Sequence, residues 1–268
     1  MSQQRTRADE LMVDRGLAPT RSKARAIILA GQLRSGTQVI DKAGHMLPED
    51  ADLEVAQGPR FASRGGEKLV HALESFGIDV NGMTCADFGA STGGFTDVLL
   101  HSGAKKVYAV DVGYGQLDYR LQTDERVVVL DRTNARHLEL LPEPIDLVTI
   151  DVSFISLALI LPAARRVLTE DGACVALIKP QFEAGKDRVG KGGVVRDRKV
   201  HRDVLRKVLD SARDSGFHVR GLTRSPIKGP AGNVEFLVYL DRFPTDEPNI
   251  QKLIETVTSE ERSGVDVD

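Results

Sequence analysis

The stretch Asp87-Phe88-Gly89-Ala90-Ser91-Thr92-Gly93-Gly94-Phe95 constrains the fold of this chain more than any other. An apolar run from Thr84 ends there, and a turn of small residues opens into a helical pattern beginning at Phe95. A strand that turns through small residues into a helix is the unit of a parallel sheet, whose carboxyl edge receives nucleotide-like ligands. Glycines let the backbone approach such a ligand with no Cβ in the way.

The chain continues that alternation. Strands are predicted over Lys106–Asp111, Val127–Leu130, Leu147–Asp151, Ala173–Ile178, Val219–Arg224 and Val234–Leu240, with helices over Phe95–Ser102, Leu157–Leu168 and Lys199–Ser215. The pattern implies an α/β fold with a Rossmann-like, mostly parallel, seven-stranded sheet. Ahead of it, helices over Arg7–Arg15 and Thr20–Ala30 and short strands at Val39-Ile40 and Leu53–Val55 form a small N-terminal α/β unit, with Thr20 as an N-cap and Gly31 as a stop. Gly58-Pro59 breaks the chain, so the expected division is residues 1–58, a linker at 59–62 within the stretch Gln57–Ala62, a main domain at 63–243, and an acidic tail at 244–268 that is partly helical or disordered.

The formal net charge of −3 conceals an uneven distribution. Between Arg15 and Arg34 every charged residue is basic (Arg15, Arg21, Lys23, Arg25, Arg34), and a second basic stretch runs from Lys186 to Lys207. Two basic surfaces on a weakly acidic protein point to a polyanionic partner, although solvated helix faces look the same in sequence. Cys85 and Cys174 both fall inside predicted strands, which favours buried thiols in a reducing compartment. Met1 to Gly31 has no signal-peptide apolar region, and the apolar runs are too short to span a bilayer, so a cytoplasmic protein is expected.

Asp111 ends the second strand of the sheet about twenty residues past the first glycine turn, where a carboxylate can take both hydroxyls of a ribose. Asp131 follows the next strand. Asp87, Asp111 and Asp131 at successive strand ends offer acceptors to an amine, a ribose and an adenine amino group, a set that S-adenosylmethionine presents without phosphate. The expected cofactor residues are therefore Asp87, Gly89, Ser91, Gly93, Gly94, Phe95, Asp111 and Asp131. Two alternatives fail. Gly89-Ala90-Ser91-Thr92-Gly93 matches a hydrolase nucleophile elbow, but no His sits in a suitable late loop. Gly185 to Gly192 resembles a phosphate-binding loop but has Gly192 where a Ser or Thr is required. No metal is called for.

The methyl acceptor follows by elimination. Pyrimidine carbon methylation needs a covalent cysteine at the active edge, and base-amine methylation commonly uses an Asn/Asp-Pro-Pro-aromatic loop where this chain has Asp151-Val152-Ser153-Phe154. A hydroxyl remains, and an alcohol needs a base or a cationic neighbour to attack near neutral pH. Lys179 and Asp151, at adjacent strand ends, should converge on one crevice; for Lys68 and Glu235 the spacing says nothing.

Several long motifs occur together: Ser63-Arg64-Gly65-Gly66-Glu67-Lys68-Leu69, the turn from Asp87 to Thr96, Asp111-Val112-Gly113-Tyr114-Gly115-Gln116-Leu117, Asp151-Val152-Ser153-Phe154-Ile155-Ser156, Lys179-Pro180-Gln181-Phe182-Glu183 and Gly232-Asn233-Val234-Glu235. In this the chain resembles the TlyA group of rRNA ribose methyltransferases, some of them known as haemolysins, whose catalytic domain is similar to FtsJ/RrmJ-type 2′-O-methyltransferases. The resemblance implies a catalytic tetrad of Lys68, Asp151, Lys179 and Glu235, with Lys179 activating or positioning a ribose 2′-hydroxyl of cytidine in small- or large-subunit rRNA. It implies an N-terminal RNA-binding domain of the ribosomal-protein S-four type. The expected partner is rRNA or a ribosomal subunit, met by Arg7, Arg21, Lys23, Arg25, Arg64, Lys186, Arg188 and Lys191. The competing readings are a membrane-active haemolysin and an RNA-binding assembly factor with an idle catalytic fold.

Overall fold

The computed structural model describes residues 5–29, 31–56, 60–244 and 247–259, and the chain divides into two units at Arg60/Phe61. In the N-terminal unit, β1 (Arg5–Arg7) leads into α1 (Ala8–Asp14) and α2 (Arg21–Leu29), followed by β2 (Leu33–Ser35), β3 (Gln38–Ile40), β4 (Met46–Pro48) and β5 (Leu53–Val55). β1 pairs with β4, and β2 lies between β3 and β5, all antiparallel. The helices meet over Ala8, Leu11, Met12, Ala24 and Ile28. Thr20 Oγ1 accepts from Lys23 N at 3.2 Å, the expected N-cap, and Gly31 closes α2 with its N–H on Ile28 O.

In the second unit, α3 (Gly65–Phe76) precedes β6 (Thr84–Phe88), α4 (Gly94–His101), β7 (Lys106–Val110), α5 (Tyr119–Gln122), β8 (Val127–Leu130), β9 (Ile145–Ile150), α6 (Leu161–Val167), β10 (Leu168–Ile178), α7 (Pro180–Glu183), α8 (Arg198–Asp214), β11 (His218–Arg224), β12 (Phe236–Asp241) and α9 (Ile250–Ser259). The sheet has seven strands in the order β11-β12-β10-β9-β6-β7-β8. β8, β7, β6, β9 and β10 are mutually parallel, whereas β12 and β11 run antiparallel at one end. The chain order reverses between β6 and β9, and a ligand crevice is expected outside the carboxyl ends of such a pair. Apolar layers cover both faces of the sheet, one including Phe88, Phe217 and Phe236 and the other Leu69, Leu99 and Val175. Cys85 and Cys174 are fully buried in strands, and burial pushes the Cys85 thiol up to about 12.

Some boundaries differ from the sequence reading for local reasons. α3 is absent from it because the helix opens on Gly65-Gly66, poor helix formers; its buried stripe of Lys68, Leu69, Ala72 and Leu73 nevertheless has helical spacing. The helix expected over Leu157–Leu168 is a 3₁₀ turn at Leu157–Leu159 followed by α6, because Pro162 lacks an N–H and belongs in a first helical turn. Phe61 and Ala62, read as linker, pack into the second unit: Phe61 is buried, and Ala62 N donates to Asp97 Oδ2 at 2.8 Å. Gln57, Gly58 and Pro59 lie outside the described residues. Within the stretch read as a tail, Glu247 accepts from Val219 N and pairs with Arg213, while α9 buries Ile254 and Val257 in the core. Residues 260–268 lie outside the described residues.

Candidate active site

The carboxyl ends of β6 and β9 come so close that a Cβ on Gly89 would sit 2.8 Å from Asp151 O, and Gly89 also has a left-handed φ of +85°. Only glycine meets both conditions, so this residue fixes the turn against the next strand. Beside the junction lies a cleft of about 600 Å³, lined by the turn Gly89–Thr92, by Gly94 and Phe95, and by Lys68, Asp151, Lys179 and Glu235. Four side chains from α3, the end of β9, the end of β10 and the start of β12 thus meet in one place.

They meet as two ion pairs. Lys68 Nζ donates to Glu235 Oε2 at 2.5 Å, with both residues more than nine-tenths buried. Lys179 Nζ pairs with Asp151 Oδ1 at 2.6 Å and also donates to Ser153 Oγ at 2.9 Å. The more exposed pair is therefore the one equipped to meet a substrate, and the buried pair stands as support. Ser153 has no counterpart among the expected site residues; its place three residues past the end of β9 was the available signal. Phe154, also in the lining, has a left-handed φ of +64°, is 90% exposed and lies 5.0 Å from the Phe182 ring.

The expected cofactor residues separate into four groups. Gly89, Ser91, Gly94 and Phe95 line the cleft. Gly93 does not: with φ +96°, its missing Cβ leaves room for Leu117 and Leu121, so it packs the turn onto the protein. Asp111 and Asp131 lie outside the cleft lining, at neighbouring strand ends. Asp111 accepts from Ser91 N at 2.8 Å and Gly113 N at 2.7 Å, and Asp131 accepts from Gly115 N at 2.8 Å. A carboxylate has about four acceptor positions, so both keep capacity for a ligand.

Asp87 corrects the expectation of an acid offered to a cofactor amine. Its carboxylate is fully buried and accepts from Thr96 Oγ1 at 2.8 Å and Thr149 Oγ1 at 3.0 Å, tying α4 and β9 to β6. Burial pushes its pKa up to about 7, with the charge of Asp151 adding to the rise and the two threonine bonds opposing it. The folded protein therefore binds a proton here that the unfolded chain releases near pH 4, and the resulting stability is full below pH 4 and lost as pH rises through about 7. At ~1.4 kcal/mol per pKa unit, the decline amounts to at most ~4 kcal/mol. Asp87→Asn, which mimics the protonated acid, is expected to flatten the fall in unfolding free energy between pH 4 and 7; denaturant titrations of the two proteins across that range check it, and parallel curves would contradict it.

The expected RNA-contacting cations are also placed differently from one another. In the N-terminal unit, Asp9 is fully buried in α1 and pairs with Arg7 (2.9 Å), Arg25 (2.9 Å) and Arg21 (3.2 Å), whose side chains stay 39–53% exposed. Burial alone would raise the Asp9 pKa, but the hydrogen bonds from Arg7, Arg25 and Arg21 together hold it well below the usual carboxylate range. One buried carboxylate thus fixes three guanidinium groups, while Lys23 is exposed on the same unit. In the second unit Arg64 lines the cleft, Arg188 pairs with Asp203 at 2.5 Å, and Lys186 and Lys191 are exposed outside the cleft lining, where their loop contributes Gly192 and Gly193.

A seven-stranded sheet reversing at a glycine turn, with an acid at the reversal and a lysine at the end of the next strand, is the fold of the S-adenosylmethionine-dependent methyltransferases. Residues 61–242 match the FtsJ-like methyltransferase family and residues 6–53 the S4 domain, and the chain belongs to the TlyA group of that family. It is 48% identical to the 16S/23S rRNA (cytidine-2′-O)-methyltransferase TlyA of Mycobacterium tuberculosis, over 90% of this chain and 91% of that one. It is 45% identical to Hemolysin A of Brachyspira hyodysenteriae, over 87% and 98%. A solved hemolysin-named chain from Streptococcus thermophilus superposes with a TM-score of 0.73 at 41% identity, covering 96% of each chain.

Proposed function

We propose that this protein transfers a methyl group from S-adenosylmethionine to the 2′-hydroxyl of a cytidine in ribosomal RNA, acting on ribosomal subunits or their RNA in the cytoplasm. The observation that carries the reading is Lys179, held between Asp151 and Ser153 on the wall of a cleft that begins at the glycine turn. The cleft fits the cofactor: its volume lies in the range of small-molecule sites, the turn admits a ligand closely, and Asp111 and Asp131 keep free acceptor positions beside it. S-adenosylmethionine bound there supplies an electrophilic methyl on a sulfonium.

The chain's own residues supply the rest. The Lys179 ammonium stabilises negative charge growing on the attacking oxygen, an electrostatic effect that gains strength away from bulk water. Asp151, paired with that ammonium at 2.6 Å, holds it on the cleft wall, and the hydroxyl proton leaves to solvent as the methyl is transferred. Phe154 and Phe182 offer an aromatic face for a base splayed out of the RNA, the form in which single nucleotides are read. The guanidinium groups on Asp9 grip backbone phosphates, a contact that supplies affinity and orientation and weakens with salt.

The haemolysin reading draws on a relative's name, and among the described residues no helix is long and apolar enough to cross a membrane. Tritium transfer from labelled S-adenosylmethionine to isolated subunits and to naked rRNA tests the proposal. Label in alkali-resistant dinucleotides is the expected result. Cofactor binding with no transfer to any rRNA would favour the assembly-factor reading instead.

A further inference from the structure

Glu183, the last residue of α7, is a buried acid with no part in the chemistry above. Its two oxygens take separate donors from the loop that follows β9: Oε1 accepts from Leu157 N and Oε2 from Ser156 Oγ, both at 2.7 Å. Ser156 Oγ in turn accepts from Ala158 N at 3.3 Å, capping the 3₁₀ turn at Leu157–Leu159. Both donors to Glu183 are neutral, a hydroxyl and a backbone N–H. On its main chain, Lys207 Nζ of α8 donates to the Glu183 carbonyl at 3.3 Å. The residue therefore joins three elements.

Its place matters because of what each joined segment carries. α7 is four residues long and starts directly after Lys179, with Phe182 N donating to Lys179 O at 2.9 Å, so whatever holds Glu183 also holds the turn behind Lys179. The loop starts at Asp151 and brings Ser153 and Phe154 to the cleft. A φ of +64° is uncommon for a side chain as bulky as that of Phe154, and a ring 90% exposed buries too little surface to hold the backbone there. The conformation must be imposed from its flanks. Val152 and Ile155 pack against the core on one side, and Glu183 fastens the far end. Without an acceptor at Glu183 the buried Leu157 N–H would be left unpaired, a cost the loop escapes only by moving.

Resting on the function proposed above, we propose that Glu183 is a positioning residue for methyl transfer. It clasps the loop after Asp151 to the turn after Lys179, and so sets the gap between Phe154, Phe182 and Lys179 that the target nucleotide enters. Glu183 lies outside the cleft lining, so it acts through those residues and not on the reacting atoms. A displacement of about 1 Å at a reacting centre costs roughly 100-fold in rate.

The test compares the full-length wild type with Glu183→Gln and Glu183→Asp. Glutamine keeps the reach: its Oε1 still accepts from Leu157 N, and its Nε2 donates to Ser156 Oγ, which has two acceptor positions. Aspartate keeps the charge but falls a methylene short. Single-turnover methylation of ribosomal subunits at saturating S-adenosylmethionine should fall roughly 100-fold in Glu183→Asp and stay within about fivefold of wild type in Glu183→Gln. Full cofactor stoichiometry with a Kd within a few fold shows that both variants fold, and a KM for subunits within about threefold places the loss in turnover, since phosphate contacts elsewhere carry most of the affinity. Wild-type turnover in Glu183→Asp, or its loss in Glu183→Gln, would make charge or nothing the operative property and overturn the proposal. Hydrogen exchange across residues 152–158, read without RNA or cofactor, should show protection lost in Glu183→Asp alone, and equal protection in all three proteins would overturn the clasp. Methyl transfer by the wild type is scored separately: its absence on any rRNA would sink the functional reading, and the exchange pattern would still decide whether Glu183 holds the loop.

Discussion

Lys179→Ala should lower the rate of methyl transfer roughly 1000-fold, the scale on which a single pre-organised charge acts at a reacting oxygen. S-adenosylmethionine affinity should stay within a few fold, because the glycine turn and the Asp111 and Asp131 strand ends are untouched. The expectation follows from the geometry: Lys179 lines the cleft with its ammonium fixed by Asp151 at 2.6 Å and Ser153 at 2.9 Å. Single-turnover rates with saturating cofactor, together with the cofactor Kd by calorimetry, separate the two quantities. A variant retaining more than a tenth of the wild-type rate would remove Lys179 from the chemistry.

Glu235→Ala should have the largest effect on stability. It leaves the Lys68 ammonium buried without its carboxylate, a change that typically costs about 3–5 kcal/mol. Each kcal/mol corresponds to roughly 2–4 °C of Tm in a unit of this size, so a fall of about 10 °C is expected in the transition of the second unit. Replacing both partners by apolar residues, Lys68→Met with Glu235→Leu, should recover most of that stability, because a buried pair is expensive to break and cheap to replace. Activity should not return with it. Scanning calorimetry of the three proteins decides the matter, and a single variant as stable as the wild type would mean that the pair is not desolvated.

The contrast between these two lysines explains what could be read from the sequence. Strands such as Thr84–Phe88 and Val127–Leu130 match residue for residue because each is a short apolar run bounded by turn residues. Lys179 and Asp151 were legible for the same reason: the ends of neighbouring parallel strands must lie side by side. Lys68 and Glu235 are separated by 167 residues, and nothing local states that they touch; the family resemblance named them, and the fold supplied the contact. Asp87 was misread because a strand-end acid can face the crevice or the helix behind it, and Thr96 and Thr149, which claim it, lie on two other elements.

The central claim is that the methyl goes to a ribose oxygen. Nucleoside mass spectrometry of rRNA from subunits incubated with the protein and S-adenosylmethionine tests it most directly. New 2′-O-methylcytidine, absent after incubation with Lys179→Ala, is the predicted result. A methyl found on the cytosine base, or new 2′-O-methylcytidine made equally well by Lys179→Ala, would contradict the account.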